Sequence, residues 1–478
     1  MPLILGTNSI KDTGFNVANS LRFDDGSSDY LYRSLGSQSS LRIGTFSYWV
    51  KRSSSGNALI LSNEVENDNN RGYIQFESNN AWRMVDNDNS GTHIQLRTNR
   101  LFRDFGGAWY HIVVRIDTTQ STSTDRVRLY VNGVQETSFD QTDYPAQNDD
   151  LKIFEGGQTN KNLLGSGYPA SNYFDGYMAE FVYCDGQSLD PTSFGEFDSD
   201  TNIWKPIDVS GLTFGNNGFY LDFEDSSALG NDVSGNNNDF TVNNLTSIDQ
   251  STDTCTNNAM NINPLYLSAS SYTLENGNLE INGNSSNAWR SLYGTFGLTS
   301  GKWYWEIKID SKESSDPNNF AIGIVSEDQV DQTSSNGKFF GTAQGYAYHG
   351  KDGKKLNNDT VTANGSSYGD SFTVGDIVGV FLDLDNHKLY FSKNGVVQAS
   401  GDPTSGSTGT NSAFSITSGH TYFPAIANYY SAEQYSFNFG SPPFSISSGN
   451  SDGNGYGNFE YPTQGYYACN TKNLSEFG

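Results

Sequence analysis

Short runs in which hydrophobic and polar residues alternate recur along the chain, separated by Gly and Asn. In the first half they occupy residues 20–23, 46–51, 58–61, 73–76, 93–96, 109–116, 126–131 and 174–183. A period of two places every second side chain on one face of a pleated strand. Residues 191–197 favour one helical turn, with Asp190 before them as a cap. Many short strands with such turns indicate antiparallel sandwiches.

Two Asn-Gly pairs predict tight hairpins. Asn132-Gly133 follows a strand pattern at 126–131, and Asn394-Gly395 follows another at 388–393. A two-residue hairpin turn requires positive φ at both positions, which Asn and Gly tolerate. The motifs RLYVNGV and KLYFSKNGV share the order of a basic residue, Leu, Tyr, an apolar residue and Asn-Gly. This internal echo indicates a shared architecture in the two halves of the chain.

A chain of 478 residues is too long for a single core, so two or three domains are expected. Lys and Arg are absent between Lys205 and Arg290, and again from 394 to 471. Such shifts in composition mark changes of segment. We predict a first domain at 1–210, an Asn/Asp-rich connector at 211–262, a second domain at 263–440 and a C-terminal tail at 441–478.

The net charge of −26 argues against nucleic acid and anionic membranes as partners. Three widely spaced cysteines provide neither a disulfide framework nor a thiolate zinc site. The N-terminal residues lack a basic region and a long apolar stretch, so we expect no signal peptide. No apolar run approaches the ~18 residues that span a bilayer, so no membrane insertion is expected.

The strand motifs of the first half resemble the concanavalin A-like, laminin-G-type lectin family. The resemblance covers about residues 20–185. The matching positions are Phe46, Ser47, Trp49 and Val50, then Trp109, His111, Ile112 and Val114, then 128–133, and finally Phe174, Gly176 and Glu180. Residues 219–240 also resemble an opening strand of such a lectin domain. Two interpretations are open for them: a remnant, or a strand that completes a neighbouring domain.

The second half resembles the SPRY (B30.2) family over about residues 263–440. The resemblance rests on the hairpin at 375–396, the strand GKWYWEI at 301–307, AIGI at 321–324 and YFPA at 422–425. In the strand that begins near Lys302, alternation predicts a core-facing set and an outward-facing set. The core-facing set is Trp303, Trp305, Ile307 and Ile309, and the outward set is Tyr304, Glu306 and Lys308.

Both families are two-sheet sandwiches. The resemblances therefore imply an all-β chain with two tandem antiparallel jelly-roll β-sandwiches, concanavalin A-like and then SPRY-like. SPRY is a binding module, which points away from catalysis.

The residues give little support for an enzyme. No pair of the five histidines has a metal-ligand spacing, and no Gly-x-Ser-x-Gly or P-loop motif occurs. His111 is expected to be a packed, hydrogen-bonded side chain. Glycosidases need two acids within ~5–10 Å, and the Glu-x-Asp-x-x-Glu pattern of concanavalin-like glycosidases is absent. We expect no catalytic residues; a glycan-degrading enzyme is the weaker alternative.

Three carboxylates lie in one Gly/Ser loop, at Asp24, Asp25 and Asp29. Oxygen ligands on a flexible loop suit Ca²⁺, so Ca²⁺ is the one cofactor that the sequence suggests. The alternative, solvated acids in a turn, is the default interpretation of such a loop.

Ligand contacts of SPRY domains come from loops at one end of the sandwich. The resemblance places Asn318, Asn319, Tyr346, Tyr348, His349, Tyr429 and Tyr430 in those loops. Aromatic rings stack on apolar sugar faces, and amides pair with hydroxyl groups. These side chains are therefore the candidate ligand-binding residues; the alternative is that half of the tyrosines simply pack.

The chain resembles virion proteins of marine bacteriophages. The resemblance rests on the combination of domains, the acidity and the segments PLILGTNSIKDTG and GYYACNTKNLSEFG. This implies a non-enzymatic fibre or appendage adhesin on the virion surface that binds host cell-surface glycan or a receptor. The alternative is a capsid decoration or head-fibre protein that contacts other virion proteins. A homo-trimer is the usual symmetry of fibres.

Overall fold

The computed structural model describes residues 14–64, 70–155, 161–167, 171–266, 272–283, 288–313, 319–330, 337–358 and 365–478. The described residues form two compact units, which divide between Thr256 and Asn257. Strands dominate both units, and nearly all pair antiparallel, which confirms the predicted all-β class. Among the described residues, no helix combines the length and the apolar character needed to cross a membrane.

The described residues of the first unit form eighteen strands. They are β1 Ser20–Phe23, β2 Tyr30–Ser34, β3 Ile43–Arg52, β4 Ala58–Glu64, β5 Arg71–Phe76, β6 Ala81–Asp88, β7 Gly91–Leu101, β8 Tyr110–Asp117, β9 Val127–Val131, β10 Val134–Glu136, β11 Phe139–Asp143, β12 Lys161–Leu164, β13 Gly176–Asp185, β14 Gly195–Phe197, β15 Trp204–Pro206, β16 Phe219–Leu221, β17 Thr241–Asn243 and β18 Gln250–Ser251. Short 3-10 turns lie at Ser123–Asp125, Lys152–Phe154, Pro191–Ser193 and Ser247–Asp249.

Two eight-stranded sheets form most of this unit, and β14 and β15 pair in a separate two-stranded sheet. The first has the order β10-β9-β8-β3-β13-β1-β18, with β16 also paired to β13, and the second has the order β11-β7-β6-β5-β4-β12-β2-β17. Alternate residues of each sheet meet in one buried core, for example Phe46 and Tyr48 with Ile74. Trp82 Nε1 donates to the Tyr48 hydroxyl at 3.2 Å inside that core. This pairing satisfies two polar atoms that burial would otherwise leave without partners.

The predicted connector at 211–262 is corrected by the structure, because most of it belongs to the first sandwich. Strand β16 pairs with β13, β17 with β2, and β18 with β1. The first unit therefore extends to Thr256 instead of ending near residue 210. Of the two interpretations of 219–240, the strand that completes a neighbouring domain is confirmed.

In the part of the second unit that the structure describes, there are fifteen strands and one α-helix. They are β19 Thr273–Glu275, β20 Glu280–Asn282, β21 Arg290–Tyr293, β22 Lys302–Ser311, β23 Phe320–Ser326, β24 Gly345–His349, β25 Lys354–Asn357, β26 Ser366–Ser367, β27 Ile377–Asp383, β28 Lys388–Lys393, β29 Val396–Val397, β30 Phe414–Ser415, β31 Tyr422–Asn428, β32 Gln434–Asn438, β33 Tyr467–Ala468 and α1 Thr471–Phe477. Short 3-10 turns lie at Pro264–Tyr266, Phe339–Gly341, Gln398–Ser400 and Pro403–Thr408.

A nine-stranded and a six-stranded sheet form the second sandwich. The first has the order β19-β20-β32-β22-β27-β28-β29, with β30 on β28 and β33 on β22, and the second has the order β21-β31-β23-β24-β25-β26. The core-facing set predicted for β22 is confirmed, since Trp303, Trp305, Ile307 and Ile309 all lie in the central core.

The predicted tail at 441–478 is corrected as well, because it packs on the second sandwich. Tyr304 and Glu306, predicted to face outward, are fully buried. Phe459 and Tyr466 of the supposed tail share a hydrophobic cluster with Tyr304. Glu306 accepts the backbone amides of Glu460 at 3.0 Å and Tyr461 at 2.8 Å. The second unit therefore includes its last 38 positions, 441–478, as a layer over β22.

Both predicted Asn-Gly hairpins are present. Their φ values are 48° and 76° at Asn132-Gly133, and 50° and 78° at Asn394-Gly395. In each, the Asn carboxamide oxygen accepts a backbone amide of the adjoining strand, from His111 at 2.7 Å and from Ile377 at 2.9 Å. The echo between the two motifs thus reflects one turn geometry used in both units.

Candidate functional site

The outer face of the second sheet in the first unit carries a row of side chains at one level. Strand register places Tyr32 beside Leu163, Leu163 beside Ser62, and Ser62 beside Tyr73. Cross-strand partners share a face of the sheet. Ile74, the next residue after Tyr73, is fully buried in the core. Tyr73 and its row therefore face away from the core.

Four half-buried tyrosines on or beside this row, Tyr30, Tyr32, Tyr73 and Tyr173, are called the tyrosine face below. The ring centres of Tyr30 and Tyr32 are 5.9 Å apart, and those of Tyr30 and Tyr173 are 6.3 Å apart. The Lys161 ammonium lies 4.8 Å from the Tyr32 ring centre. Half-buried rings give a rigid, partly apolar surface that still carries hydroxyl groups.

A small polar pocket of about 130 Å³ lies at Tyr73. Its polar lining is Ser62, Asn63, Arg71, Tyr73, Gln75, Ser171 and Asn172. The Arg71 guanidinium carbon is 5.1 Å from the Tyr73 ring centre, in cation–π contact. The Asn63 amide nitrogen donates to the carbonyl of Glu155 at 2.8 Å. Its buried carboxamide oxygen has no hydrogen-bond partner among the described atoms. A ring, two amides and a guanidinium suit a hydroxylated ligand.

Sequence reasoning missed this surface. The available signal was the alternation in YLY at 30–32 and in RGYIQF at 71–76, where every second residue is large and polar or aromatic. Alternation alone gives the two faces of a strand. Which face carries the core, and which strands lie side by side, follows only from the register.

The acidic loop predicted to hold Ca²⁺ is partly buried. Asp24 and Asp29 are 4% and 2% exposed, whereas Asp25 is exposed. Asp29 accepts the Asp24 amide at 3.0 Å, and Asp24 accepts the Ser27 amide at 2.7 Å. Both aspartates therefore hold the loop closed through hydrogen bonds, whereas the alternative interpretation treated them as solvated acids.

Two carboxyl groups of this loop have raised pKa values. Burial raises the pKa of Asp29 to about 6, and the charge of Asp249 adds to the effect. Burial and Asp24 likewise raise the pKa of Asp25. Asp29 Oδ1 is buried and has no hydrogen-bond partner among the described atoms. Within the described part of the chain, the ligand oxygens of Asp24, Asp25 and Asp29 do not all lie within 4.8 Å of one another. The loop thus offers one free buried oxygen and no converged ligand set.

Several predicted ligand-binding residues of the second unit come together around Trp289, which the prediction did not include. The Trp289 ring centre is 5.9 Å from that of Tyr429 and 6.4 Å from that of His349. Tyr430 packs on Tyr429 at 4.7 Å. Asn319 Oδ1 is 3.3 Å from His349 Nε2. These residues form the tryptophan cluster, named so below.

His349 in this cluster is held as a positioned ring. Its Nδ1 is 2.7 Å from a carboxylate oxygen of Asp352. Burial lowers the pKa of His349, although Asp352 opposes the shift. The side chain is 3% exposed. The His349 side chain therefore positions its neighbours and offers almost no surface for a ligand.

Two predicted binding residues lie on the opposite face. Tyr346 and Tyr348 are 5% and 0% exposed and belong to the central core between the sheets. The Tyr346 hydroxyl contacts the Thr417 hydroxyl at 3.1 Å. Adjacent strand residues point to opposite faces, so Tyr348 and His349 of β24 have different environments. For these two tyrosines the packing alternative holds. Asn318 lies outside the described residues.

His111 has the packed, hydrogen-bonded role that was predicted for it. Trp204 Nε1 donates to its Nδ1 at 2.9 Å, so Nε2 carries the proton and donates to Ser47 Oγ at 2.8 Å. Burial lowers the pKa of His111 to about 3. The ring is therefore neutral, and both of its nitrogens are occupied by structural contacts.

Comparison with known families agrees with this division of the chain. Residues 25–187 match the family model of the concanavalin A-like lectin/glucanases superfamily, and residues 302–442 match that of the SPRY domain. The chain combines a concanavalin A-like domain with a SPRY domain. The tyrosine face belongs to the concanavalin A-like unit, and the tryptophan cluster to the SPRY unit. Such domains support a role in protein interaction or carbohydrate binding.

Individual relatives are similar over parts of the chain. The Ran-binding proteins 9/10 homolog of Drosophila melanogaster is 33% identical over 96 residues, which is 20% of this chain and 9% of that protein. The chain thus spans less than a tenth of that relative.

Among solved structures, the SPRY domain of human HERC1 is 20% identical, with coverage of 37% of this chain and 96% of that chain and a TM-score of 0.28. Stonustoxin is 14% identical, with coverage of 37% and 27% and a TM-score of 0.27.

Proposed function

We propose that this protein is a non-catalytic adhesin of a marine bacteriophage virion, exposed on a tail or capsid appendage, that binds glycan on the host cell surface. The tyrosine face and its pocket would hold the sugar. The observation that carries the proposal is the pocket at Tyr73, because it places a ring beside Arg71, Gln75 and Asn172. A sugar stacks its apolar face on such a ring and shares its hydroxyls with the amides and the guanidinium.

Acidity is consistent with a neutral or cationic glycan as the ligand. The chain carries a net charge of −26, which disfavours highly anionic polymers. Arg71 and Lys161 lie at this face, and both are cross-strand neighbours of Glu64. A neutral glycan is therefore the expected ligand.

The test is binding of the purified full chain to host cells and to a glycan panel. Tyr73→Ala should weaken binding at least about fivefold, because stacking on a ring contributes roughly 1–3 kcal/mol in comparable aromatic platforms. Tyr430→Ala, a half-buried tyrosine of the SPRY unit, is the matched control and should leave binding unchanged. Loss with Tyr430→Ala and not with Tyr73→Ala would move the site to the tryptophan cluster. Release of sugar fragments from the panel would contradict a non-catalytic role.

Ca²⁺ at the acidic loop is proposed as a secondary feature. The unsatisfied buried oxygen of Asp29 supports it, and the lack of a converged ligand set argues for a weak site. Chelator-sensitive glycan binding that Asp29→Asn abolishes would support the ion. Binding that is unchanged by EDTA and by Asp29→Asn would remove Ca²⁺ and leave the adhesin.

A second function, capsid decoration through protein contacts, is favoured by the tryptophan cluster. Trp and Tyr are the residues that most often anchor protein interfaces. Under this proposal the free protein would bind assembled capsids and ignore cells and glycans. Tyr429→Ala should then weaken capsid binding, while Tyr73→Ala should not.

A further inference from the structure

Two neighbouring loops of the SPRY unit bring a histidine and two carboxylates together. Strands β23 and β31 are antiparallel neighbours, and their last paired residues at this end are Ser326 and Tyr422. Continuing that register places Asp328 opposite His420. Glu327 and Asp328 follow β23 directly, and His420 precedes β31 by two residues.

The donor atoms of these three side chains converge. One ring nitrogen of His420 and one carboxylate oxygen each of Glu327 and Asp328 lie within 4.8 Å of one another. His420 Nδ1 is 3.6 Å from Glu327 Oε2 and 3.9 Å from Asp328 Oδ1. Within the described parts of the chain, no other group of three or more His, Cys, Asp or Glu side chains converges in this way.

These distances are too long for hydrogen bonds, which join N and O at ~2.7–3.2 Å. Other histidines of this chain do make such bonds to carboxylates. His93 Nδ1 is 2.7 Å from Asp149, and His349 Nδ1 is 2.7 Å from Asp352. Tetrahedral Zn²⁺ with N and O ligands at ~2.0–2.2 Å leaves its ligand atoms about 3.3–3.5 Å apart. The His420 distances are close to that separation, with room between the groups for an ion.

Both carboxylates are already oriented by neighbouring donors. The Thr421 amide donates to Glu327 Oε2 at 2.8 Å, and the Ser326 hydroxyl donates to Asp328 Oδ1 at 2.5 Å. The backbone amide of Glu327 also donates to the carbonyl of Thr421 at 2.9 Å, which ties the two loops together. Such outer contacts fix ligand direction in metal sites.

We propose that Glu327, Asp328 and His420 form a binding site for a divalent transition cation such as Zn²⁺. An imidazole nitrogen among the donors favours Zn²⁺ over Ca²⁺ and Mg²⁺, which take oxygen ligands. The side chains are 44%, 52% and 23% exposed. The ion is therefore reachable from solvent, and its remaining positions hold water or an oxygen donor of a bound partner.

The test is calorimetric titration of Zn²⁺ alone into the metal-free full chain at pH 7.5. We expect one equivalent to bind at this site. His420→Ala should weaken that binding at least tenfold, and Asp328→Asn should weaken it as well. Ser326→Ala should cost about tenfold, because it removes only the group that orients Asp328. His387→Ala, an exposed histidine of the same unit, is the matched control and should bind as the parent does.

Two further measurements sharpen the result. A hundredfold excess of Ca²⁺ should leave Zn²⁺ binding intact, because Ca²⁺ takes oxygen ligands. Thermal unfolding of each variant without metal shows whether it is folded. No stoichiometric Zn²⁺ binding by the parent would overturn the proposal, as would equal affinity of the parent and a folded His420→Ala or Asp328→Asn variant.

Discussion

At the scale of single residues, Glu180 shows how a fold changes the chemistry of a side chain. It lies in β13 where the register with β3 shifts between Ala179 and Val182, and its φ is +49°. The side chain is 7% exposed, and the Tyr220 hydroxyl donates to it at 2.6 Å. Burial raises its pKa to about 8. The sequence identified Glu180 as part of a strand motif, but its bulge and its protonation depend on strand pairing.

Glu180→Gln should flatten part of the pH dependence of stability. The folded pKa lies above the unfolded one, so the group stabilises the fold below about pH 4.5 and this contribution is lost as pH rises to about 8. The parent should lose up to ~1.4 kcal/mol per pH unit from this group in that window, and the variant should not. Urea unfolding at pH 5 to 9 measures the difference.

Glu136→Gln is the control for that experiment. Burial favours a higher pKa for Glu136, but Arg100 at 2.6 Å and the amides of Thr137 and Ser138 outweigh it and lower the pKa. Its contribution is therefore present at neutral pH and lost on the acid side. Parallel profiles for the parent and Glu180→Gln above pH 5 would contradict the assignment of a neutral buried Glu180.

At the scale of elements, the segment after β18 holds the end of the first unit against β3. Lys51 Nζ is 2.7 Å from Asp253 Oδ2, and the two side chains are 0% and 3% exposed. Trp109 Nε1 donates to Asp253 Oδ1 at 3.1 Å. Because these two charges compensate each other in the interior, residues 250–256 are fixed to the sandwich. This explains why an Asn/Asp-rich stretch, loop-like by composition, is part of the fold.

Removing one member of this ion pair should be costly. Asp253→Ala leaves the Lys51 ammonium buried without its charge partner and should reduce the free energy of unfolding by ~3–5 kcal/mol. The double variant Lys51→Met/Asp253→Ala should be more stable than Asp253→Ala alone, since the uncompensated charge is gone. Urea unfolding of the full chain, followed by tryptophan fluorescence, measures both. The variant Lys51→Met alone completes the set. If the double variant loses as much free energy of unfolding as the two single variants lose in sum, the pair is not coupled.

Element faces also explain the mixed outcome for the predicted binding residues. Alternation in β22 correctly placed Trp303 and Trp305 in the core. The same rule applied to β24 separates Tyr348 from His349, which a loop interpretation had grouped together. Tyr304 faces outward in the sheet as predicted, yet it is buried because residues 441–478 cover it. Burial of an outer face depends on a segment distant in sequence, which alternation does not report.

At the scale of the whole molecule, the structure divides the chain after Thr256. A fragment of residues 257–478 should therefore unfold in one cooperative transition. A fragment of 263–440 should not, because it exposes Tyr304, Phe381 and Tyr390 and loses the amides that satisfy Glu306.

The first unit gives a second pair of fragments. Residues 12–256 should fold and residues 12–210 should not, since β16, β17 and β18 are missing from the shorter fragment. Circular dichroism during heating distinguishes the pairs. Equal behaviour of the long and short fragments would restore the shorter boundaries.

The sequence by itself determined the class of fold, most of the long strands and both Asn-Gly turns, because period-two alternation and positive-φ turn residues act locally. Only the tertiary structure decided the domain limits, the tyrosine face, the tryptophan cluster and the convergence of Glu327, Asp328 and His420. Each of these depends on which strands are neighbours and on what covers their outer faces. Both are settled by contacts between residues far apart in the chain, where local propensity carries no information.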